Sequence, residues 1–202
     1  VADSQTISVD STHRTYVSRG AEKLVAALDR FGFDPRNRVV LDIGASTGGF
    51  TEVLLQRGAG RVHAIDVGQG QLNASLRNDP RVVMHEGLDA RSLTAAHVPD
   101  PVAGIVADVS FISLQKVLPV PLGFAAPGCW LAALIKPQFE VGRGRVGKGG
   151  IVRDVAARDR AVSDVAAWVA AQSNWRVIGT CPSPIAGGDG NIETLVGAVF
   201  DG

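Results

Sequence analysis

The sequence predicts a doubly wound, Rossmann-like α/β fold, with a mostly parallel seven-stranded sheet and helices on both faces. Apolar runs alternate along the chain with amphipathic segments, the pattern of strands joined by crossover helices. Several of these runs are apolar at every position, as strands covered on both faces must be. The first run, 38–43, leads directly into the glycine-rich segment 44–49, and a ligand-binding turn typically lies at such a point.

Each predicted element has a local signal. The first helix, 18–31, places apolar residues on one face and stops at Asp34-Pro35, because a residue that precedes proline disfavours the helical conformation. The other predicted helices are 50–56, 71–77, a short one capped by Ser113, and the amphipathic 154–172. The predicted strands are 38–43, 61–67, 81–85, 103–109, 130–135, 176–180 and 193–200.

Length and composition suit a single domain. The chain has 202 residues, of which 46% are hydrophobic and 20% charged, enough for one substantial core. The polar residues 1–15 predict a tail or the remnant of a linker, and 16–202 the domain itself. Since the net charge is zero, binding of nucleic acid would need a local basic patch.

The chain carries signals of a cytoplasmic protein. Cys129 and Cys181 lie in apolar surroundings and are expected to be core thiols in a reducing compartment. The apolar run 124–135 is interrupted by Pro127-Gly128 and is too short to cross a bilayer. The first residues do not have the pattern of a signal sequence, so we expect a cytoplasmic location.

The glycine-rich segment and Asp66 predict a nucleotide-binding site. Glycines let the backbone turn tightly and approach a ligand, and the amides that open the following helix favour an anionic group. Asp66 ends the second strand, 22 residues after Gly44, near the spacing at which an acid binds ribose hydroxyls. Because Ala45-Ser46 follow Gly44, the segment differs from the dinucleotide fingerprint G-x-G-x-x-G. A nicotinamide-dependent oxidoreductase is the alternative that this topology allows.

Two ionisable residues end consecutive buried strands. Asp108 and Lys136 are expected at the carboxyl edge of the parallel sheet, where ligands bind. A purely structural ion pair is the alternative. Considered alone, Lys23 on the first helix would be a solvated lysine and Glu193 an acid at the start of the last strand.

In the order Lys23, Asp108, Lys136 and Glu193, however, these residues resemble the catalytic tetrad of FtsJ-type ribose 2′-O-methyltransferases. More specifically, the chain resembles the catalytic domain of the TlyA family of rRNA methyltransferases, also called haemolysin A-like proteins. The resemblance covers nearly the whole chain and rests on Val-Ser-Arg-Gly-Ala-Glu-Lys-Leu (17–24), Gly-Ala-Ser-Thr-Gly-Gly-Phe (44–50), Val-Ser-Phe-Ile-Ser (109–113), Lys-Pro-Gln-Phe-Glu (136–140) and Gly-Asn-Ile-Glu (190–193).

This resemblance implies transfer of a methyl group from S-adenosylmethionine to a ribose 2′-hydroxyl of ribosomal RNA, with cytidine as the expected nucleotide. Ribosomal RNA or ribosomal subunits would be the partner, and no metal is expected. Lys136 would remove or ease the hydroxyl proton, while Lys23, Asp108 and Glu193 orient the hydroxyl and stabilise charge. Such a reaction depends on positioning and on a proton acceptor.

The resemblance also implies a cofactor site. The glycine turn would hold the methionine end, Asp66 the ribose hydroxyls and Asp89 the adenine, where family members often have asparagine. The implied contacts with S-adenosylmethionine are Gly44, Ala45, Ser46, Thr47, Gly48, Gly49, Phe50, Asp66, Val67, Asp89, Ala90 and Asp108.

Predicted RNA contacts are basic residues near the expected site, namely Arg19, Arg143, Arg145 and Lys148. The last three lie in the long loop 138–150, which is interpreted as a contact for RNA phosphates. The alternative interpretation is a solvated loop without a function. Members of the TlyA family usually carry an amino-terminal RNA-binding module, whereas here only a short polar segment precedes the first motif. With one tyrosine and three scattered tryptophans, no aromatic-rich platform for stacking bases is expected.

The family's haemolysin name suggests a membrane-lytic alternative. Lysis by insertion needs a spanning segment or an amphipathic helix with a basic face. The helix 154–172 mixes Arg158 and Arg160 with Asp159 and Asp164, and its apolar face is needed to cover the sheet. We therefore expect no membrane activity.

Overall fold

The computed structural model describes residues 16–202, apart from the Arg143 side chain; the predicted tail, 1–15, lies outside these residues. A seven-stranded sheet forms the centre of the molecule, in the order β3-β2-β1-β4-β5-β7-β6. The strands are β1 (Val39–Ile43), β2 (Arg61–Asp66), β3 (Val82–Glu86), β4 (Val102–Ala107), β5 (Ala125–Ile135), β6 (Trp175–Pro182) and β7 (Thr194–Phe200).

Strands β1 to β5 pair in parallel, and β7 is antiparallel to both β5 and β6. The sheet is thus mostly parallel, as predicted. Within the sheet, the chain starts at β1, moves outward to β3 and then returns to β4 on the other side of β1. At this switch point the carboxyl ends of β1 and β4 lie side by side, which is where proteins of this class bind ligands.

Helices cover both faces of the sheet. They are α1 (Gly20–Phe31), α2 (Gly49–Gln56), α3 (Ala74–Arg77), α4 (Leu114–Val117), α5 (Pro119–Leu122), α6 (Pro137–Glu140) and α7 (Val155–Ala170). Apolar side chains of α1, α2 and α3 belong to the core cluster on one face, and those of α4, α5 and α7 to the cluster on the other. This double covering explains why the inner strands are apolar at nearly every position.

Strand β1 illustrates how one strand supplies both cores. Successive side chains of a strand point to opposite faces, so Leu41 and Ile43 join the core under α7 while Val40 joins the core under α1 and α2. Asp42 points to the same face as Val40 and is 0% exposed. Its Oδ2 accepts a hydrogen bond from Thr51 Oγ1 of α2 at 2.6 Å.

Most elements differ from the sequence prediction by one or two residues at an end, and three differences need a comment. Ser18 does not cap α1, whose N-cap is Arg19 without a side-chain bond. Helix α3 begins at Ala74, after Asn73 accepts a hydrogen bond from Ser75 N. Strand β5 begins at Ala125 because this residue already pairs with Val102 of β4, across an irregularity in the register. Within residues 16–202, no helix is long and apolar enough to cross a membrane.

Candidate active site

The glycine turn joins β1 to α2 at the carboxyl edge of the sheet. Gly44 has φ of +83°, and a Cβ on it would lie 2.7 Å from the backbone oxygen of Asp108. Only glycine satisfies both the left-handed conformation and this close approach. Ser46 N–H donates to Asp66 Oδ2 at 2.8 Å. The turn thereby connects the ends of β1, β2 and β4.

Two other glycines of this turn serve packing. A Cβ on Gly48, whose φ is +102°, would lie 2.8 Å from Leu72 and collide with Leu76. A Cβ on Gly49 would collide with Ser18 Oγ, so this glycine lets the start of α1 rest on α2. Gly48 therefore belongs to the support of the site and, unlike its neighbours in the turn, does not line either of the two cavities described next.

The first of these, which we call the β1–β2 cavity, has a volume of about 550 Å³. It lies along the carboxyl ends of β1, β2 and β4. Seven of the twelve residues expected to hold the cofactor line it: Gly44, Ser46, Asp66, Val67, Asp89, Ala90 and Asp108. Its floor is apolar, with Ile43, Ile65 and Leu88. An apolar cavity of this size with a few polar groups suits a small-molecule cofactor.

Asp66 is fixed at the end of β2 with its carboxylate at the rim of this cavity. Oδ2 accepts from Ser46 N–H, and Oδ1 accepts from Gly68 N–H at 2.7 Å. A carboxylate offers about four acceptor positions, so these two bonds orient Asp66 and leave capacity for hydroxyl groups. Val67 follows at the same rim and is 71% exposed, which leaves an apolar surface available to a planar ring.

Asp89 also lines the β1–β2 cavity, and its side chain is bound by Arg91, two residues further along the chain. Its Oδ2 is 2.6 Å from Arg91 Nη2, and its Oδ1 accepts from Arg91 N–H. Hydrogen bonds from Arg91 lower the pKa of the Asp89 carboxyl below its usual value. Asp89 therefore presents an ionised acceptor to the cavity.

The second cavity, which we call the lysine cavity, has a volume of about 290 Å³ and lies beyond the glycine turn. It shares Gly44, Ser46, Asp108 and Ser110 with the β1–β2 cavity. Lys23, Asp108 and Lys136 line it, as do Arg19 and the predicted cofactor contacts Ala45, Thr47, Gly49 and Phe50. The adjoining outer cavity, of about 370 Å³, is lined by Lys136 and Glu193. The four residues predicted for catalysis thus border two adjoining cavities.

These four residues form two ion pairs. Lys136 Nζ lies 2.6 Å from Asp108 Oδ1, and Lys23 Nζ lies 2.6 Å from Glu193 Oε2. The Lys23 and Glu193 side chains are 9% and 2% exposed, so Lys23 is not a solvated helix lysine. The pair also joins residues 170 positions apart. Burying two charges is costly, and a site of this kind is a candidate for function.

The motifs 109–113 and 136–140 face each other and form a frame at the mouth of the lysine cavity. Lys136 Nζ donates to Ser110 Oγ at 2.9 Å. Glu140 accepts from Ser113 Oγ at 2.6 Å and from Leu114 N–H at 2.8 Å. Burial raises the pKa of Glu140 despite these two bonds. Sequence reasoning recognised both motifs but did not foresee that they bind each other.

Phe111 is the site residue that sequence reasoning missed. Its side chain is 91% exposed and its φ is +67°, a conformation that is rare for a bulky residue. Its ring lies 5.3 Å from the Phe139 ring, between centroids, and lines both the β1–β2 and the outer cavity. Strained backbone of this kind concentrates at functional sites. Phe111 thus presents one exposed aromatic ring at the site, and the sequence analysis did not foresee it.

Asp42 lies directly beneath the glycine turn. Complete burial raises the pKa of its carboxyl to about 7, opposed by the hydrogen bond from Thr51 and reinforced by the nearby charge of Asp108. Its Oδ1 has no hydrogen-bond partner among the residues that the structure describes. The floor of the site thus contains an acid whose charge is poorly stabilised.

Three of the four predicted RNA contacts, Arg19, Arg145 and Lys148, have side chains that the structure describes. Arg19 lines the lysine cavity. Arg145 and Lys148 are exposed on the loop after α6, whose residues Val146 and Gly150 line the outer cavity. Within residues 16–202, no group of three or more His, Cys, Asp or Glu side chains could hold a metal ion.

Comparisons with known proteins identify the family. The model of the FtsJ-like methyltransferase family matches residues 16–200. The chain is 50% identical, over 96% of its length and 72% of the relative, to the 16S/23S rRNA (cytidine-2′-O)-methyltransferase TlyA of Mycobacterium tuberculosis. It is 44% identical, over 89% of its length and 75% of the relative, to hemolysin A of Brachyspira hyodysenteriae.

A solved structure agrees with this assignment. The crystal structure of a candidate hemolysin from Lactococcus lactis has a TM-score of 0.88 and 44% identity, and covers 93% of this chain and 89% of that one. The nicotinamide-dependent alternative finds no support in these matches. This chain belongs to the FtsJ-like methyltransferase family.

Proposed function

We propose that this chain methylates a ribose 2′-hydroxyl of ribosomal RNA, with cytidine as the target nucleotide and the cytoplasm as the compartment. The M. tuberculosis relative, half identical over nearly the whole chain, bears the name of that activity. The structural observation that carries the proposal is the position of Asp108. It borders both the β1–β2 cavity and the lysine cavity, and it is paired there with Lys136.

S-adenosylmethionine is the methyl donor, and it supplies an electrophilic methyl group on a sulfonium. The β1–β2 cavity fits such a group: the apolar floor suits an adenine ring, and Asp66 retains acceptor capacity for ribose hydroxyls. Gly44, which has no side chain, lines both cavities. The predicted contacts with the methionine end, Ala45, Thr47, Gly49 and Phe50, line the lysine cavity. The methyl group would therefore be presented where the two cavities meet, and the acceptor hydroxyl would approach it within the lysine cavity.

In the proposed mechanism, Lys136 acts in its neutral amine form, whose nitrogen lone pair takes up the proton of the 2′-hydroxyl as the oxygen becomes a nucleophile. Asp108 and Ser110 hold the lysine amine from two sides, at 2.6 and 2.9 Å, so that its direction is set before the substrate binds. The buried pair of Lys23 and Glu193 stabilises charge on the far wall. Proton transfer by a positioned side chain contributes about 10²- to 10⁴-fold to a rate.

The acceptor nucleotide also needs its base held outside the cavity. Phe111 offers an exposed ring at the mouth, supported from behind by Phe139, and every base has a π face that such a ring can stack. Arg19 lines the lysine cavity, and Arg145 and Lys148 are exposed on the adjacent loop. These three residues would contact phosphates, whose contribution to affinity falls with salt. Arg143, in the same loop, is proposed as a further contact.

Tritiated methyl transfer tests the proposal. The chain is incubated with labelled S-adenosylmethionine and with ribosomal subunits, naked 16S and 23S RNA, or single-stranded DNA of matched sequence. Labelled RNA is digested to nucleosides, and the modified nucleoside is identified by mass spectrometry. A fusion with an amino-terminal RNA-binding module is assayed in parallel to separate catalysis from targeting.

We expect 2′-O-methylcytidine from RNA and no label in DNA, which lacks the hydroxyl. Activity only in the fusion would mean that the domain is catalytically competent and needs a targeting module. A methyl group on a base, or equal labelling of DNA, would overturn the assignment of the acceptor.

A further inference from the structure

The outer wall of the lysine and outer cavities is built by two loops. One is the basic loop, residues 142–150, and the other is the Glu193 loop, residues 183–193. Val146 and Gly150 of the basic loop and Gly188, Asp189 and Glu193 of the Glu193 loop line the outer cavity together. The position of this wall decides how an RNA strand held by basic residues meets the site.

The basic loop has few ties of its own. Its backbone hydrogen bonds at Arg145, Gly147 and Gly150 reach only residues within the same turn. Gly142, Gly149 and Gly150 each have a φ of +79°, and glycine backbone is costly to hold in one conformation. A contact from outside the loop is therefore needed to fix where it lies.

Asn191 provides this contact. Its side-chain Oδ1 accepts from Val152 N–H at 2.9 Å, and its Nδ2 donates to the Gly150 backbone oxygen at 2.9 Å. The residue is 1% exposed, so water does not compete for either bond. The oxygen and the nitrogen of one buried side-chain amide thus both bind the segment that closes the basic loop.

Asn191 is also fixed with respect to the site. Its backbone oxygen accepts from Gly187 N–H at 2.9 Å, across the turn of the Glu193 loop. Two residues further on, Glu193 is anchored to Lys23. A displacement of the closing segment of the basic loop, at Gly150 and Val152, relative to Glu193 would therefore break the bonds of this side chain. A second tie, from Gln138 Nε2 to Asp189 Oδ2 at 3.2 Å, is exposed and leaves the basic loop untouched.

We propose that Asn191 is a positioning residue that holds the basic loop against the Glu193 loop, so that RNA bound by Arg145 and Lys148 is presented to the cavity. This inference rests on the proposed function. Loss of the amide should release the basic loop and weaken RNA binding, whereas Glu193 stays held by its buried partner. The effect should therefore appear in KM for RNA more than in kcat.

The test uses Asn191→Ala and Asn191→Asp, with Gln172→Ala as the matched control. Gln172 donates its side-chain amide to Trp168 O at 2.9 Å at the end of α7, and it lines none of the three cavities described above. Asn191→Asp keeps an oxygen that accepts from Val152 N–H, but it replaces the amide donor by a carboxylate oxygen that repels the Gly150 oxygen. This second variant changes the side-chain volume little. Hydrogen exchange of residues 142–152 reports on the loop without any substrate.

We expect faster exchange of this segment in both Asn191 variants, an increase of about tenfold in KM for RNA, and a change in kcat of less than about threefold. In a background of Arg145→Ala and Lys148→Ala, Asn191→Ala should add little, because residues that act through one another are not additive. The affinity for S-adenosylhomocysteine should not change.

Hydrogen exchange of residues 142–152 at the wild-type rate in both Asn191 variants would overturn the inference. So would faster exchange with an unchanged KM for RNA, or an effect of Asn191→Ala on KM that is as large in the Arg145→Ala and Lys148→Ala background as in the wild type. Failure of the proposed function is recognised separately, because the wild-type chain would then transfer no methyl group to RNA while the exchange comparison still decides whether Asn191 holds the loop.

Discussion

Replacing Asp42 by asparagine should change how the stability of the protein depends on pH. Complete burial raises the pKa of Asp42 from 3.8 to about 7. Because the folded protein holds this proton more tightly than the unfolded chain does, the protonated carboxyl favours folding. This contribution to the free energy of unfolding is lost as pH rises from about 4 to about 7. At 1.36 kcal/mol per pKa unit, the total loss is about 4 kcal/mol, of which about 2.5 kcal/mol falls between pH 5 and pH 7.5.

His63 opposes this loss. Burial, reinforced by His85 at 3.2 Å, lowers the pKa of His63 from 6.5 to about 4. Because the unfolded chain then binds the extra proton, stability falls as pH drops from about 6.5 towards 4. Between pH 5 and pH 7.5, His63 therefore raises the free energy of unfolding by about 2 kcal/mol. In the wild type, the opposite contributions of Asp42 and His63 to the pH dependence of stability nearly cancel.

The assay is urea unfolding at pH 5 and pH 7.5 of the wild type, Asp42→Asn, and Asp164→Asn as an exposed control on α7. The free energy of unfolding of Asp42→Asn should rise by about 2–3 kcal/mol more than that of the wild type between these two pH values. The difference in slope is compared rather than absolute stability, since the amide also changes hydrogen bonding to Thr51. Slopes of the wild type and Asp42→Asn that agree within about 0.5 kcal/mol would refute the reasoning.

Three further substitutions probe the two cavities. Asp66→Ala should weaken binding of S-adenosylhomocysteine by about 1–3 kcal/mol, because ribose hydroxyls lose their acceptor; an unchanged Kd by calorimetry would remove Asp66 from the cofactor site. Phe111→Ala should raise KM for RNA by about tenfold through the loss of one stacked base, measured at saturating cofactor, and an unchanged KM would leave its exposure unexplained. Gly44→Ala should lower the free energy of unfolding by at least about 1 kcal/mol and weaken cofactor binding, since its Cβ would meet the Asp108 oxygen at 2.7 Å in a left-handed conformation; a variant with wild-type Tm and Kd would contradict this.

Much of the fold could be predicted because its signals are local. The apolar run before Gly44 and the acid at position 66 mark the ends of β1 and β2, and both lie where the sequence indicates. The start of β5 at Ala125 could not be predicted, because it depends on pairing with Val102 across the sheet. Local propensity contains no information about such a partner.

The same distinction applies to the candidate site. Motif resemblance selected Lys23 and Glu193, although they are 170 positions apart, but only the folded chain reveals that they form one buried pair. The left-handed conformation and exposure of Phe111 have no signal in a residue type that is usually buried. The two hydrogen bonds of Asn191 likewise arise from the closure of a long loop.

Proton transfer by Lys136 is tested most directly by the rate of methyl transfer in Lys136→Ala and Lys136→Arg at saturating S-adenosylmethionine. The affinity of both variants for S-adenosylhomocysteine is measured alongside. Arginine keeps a positive charge beside Asp108 but stays protonated in proteins, so it separates a role in proton transfer from a role of charge. We expect kcat to fall by at least about 100-fold in both variants, with cofactor affinity nearly unchanged. Full activity of Lys136→Ala would contradict the assignment of the site, and full activity of Lys136→Arg would contradict proton transfer by this lysine.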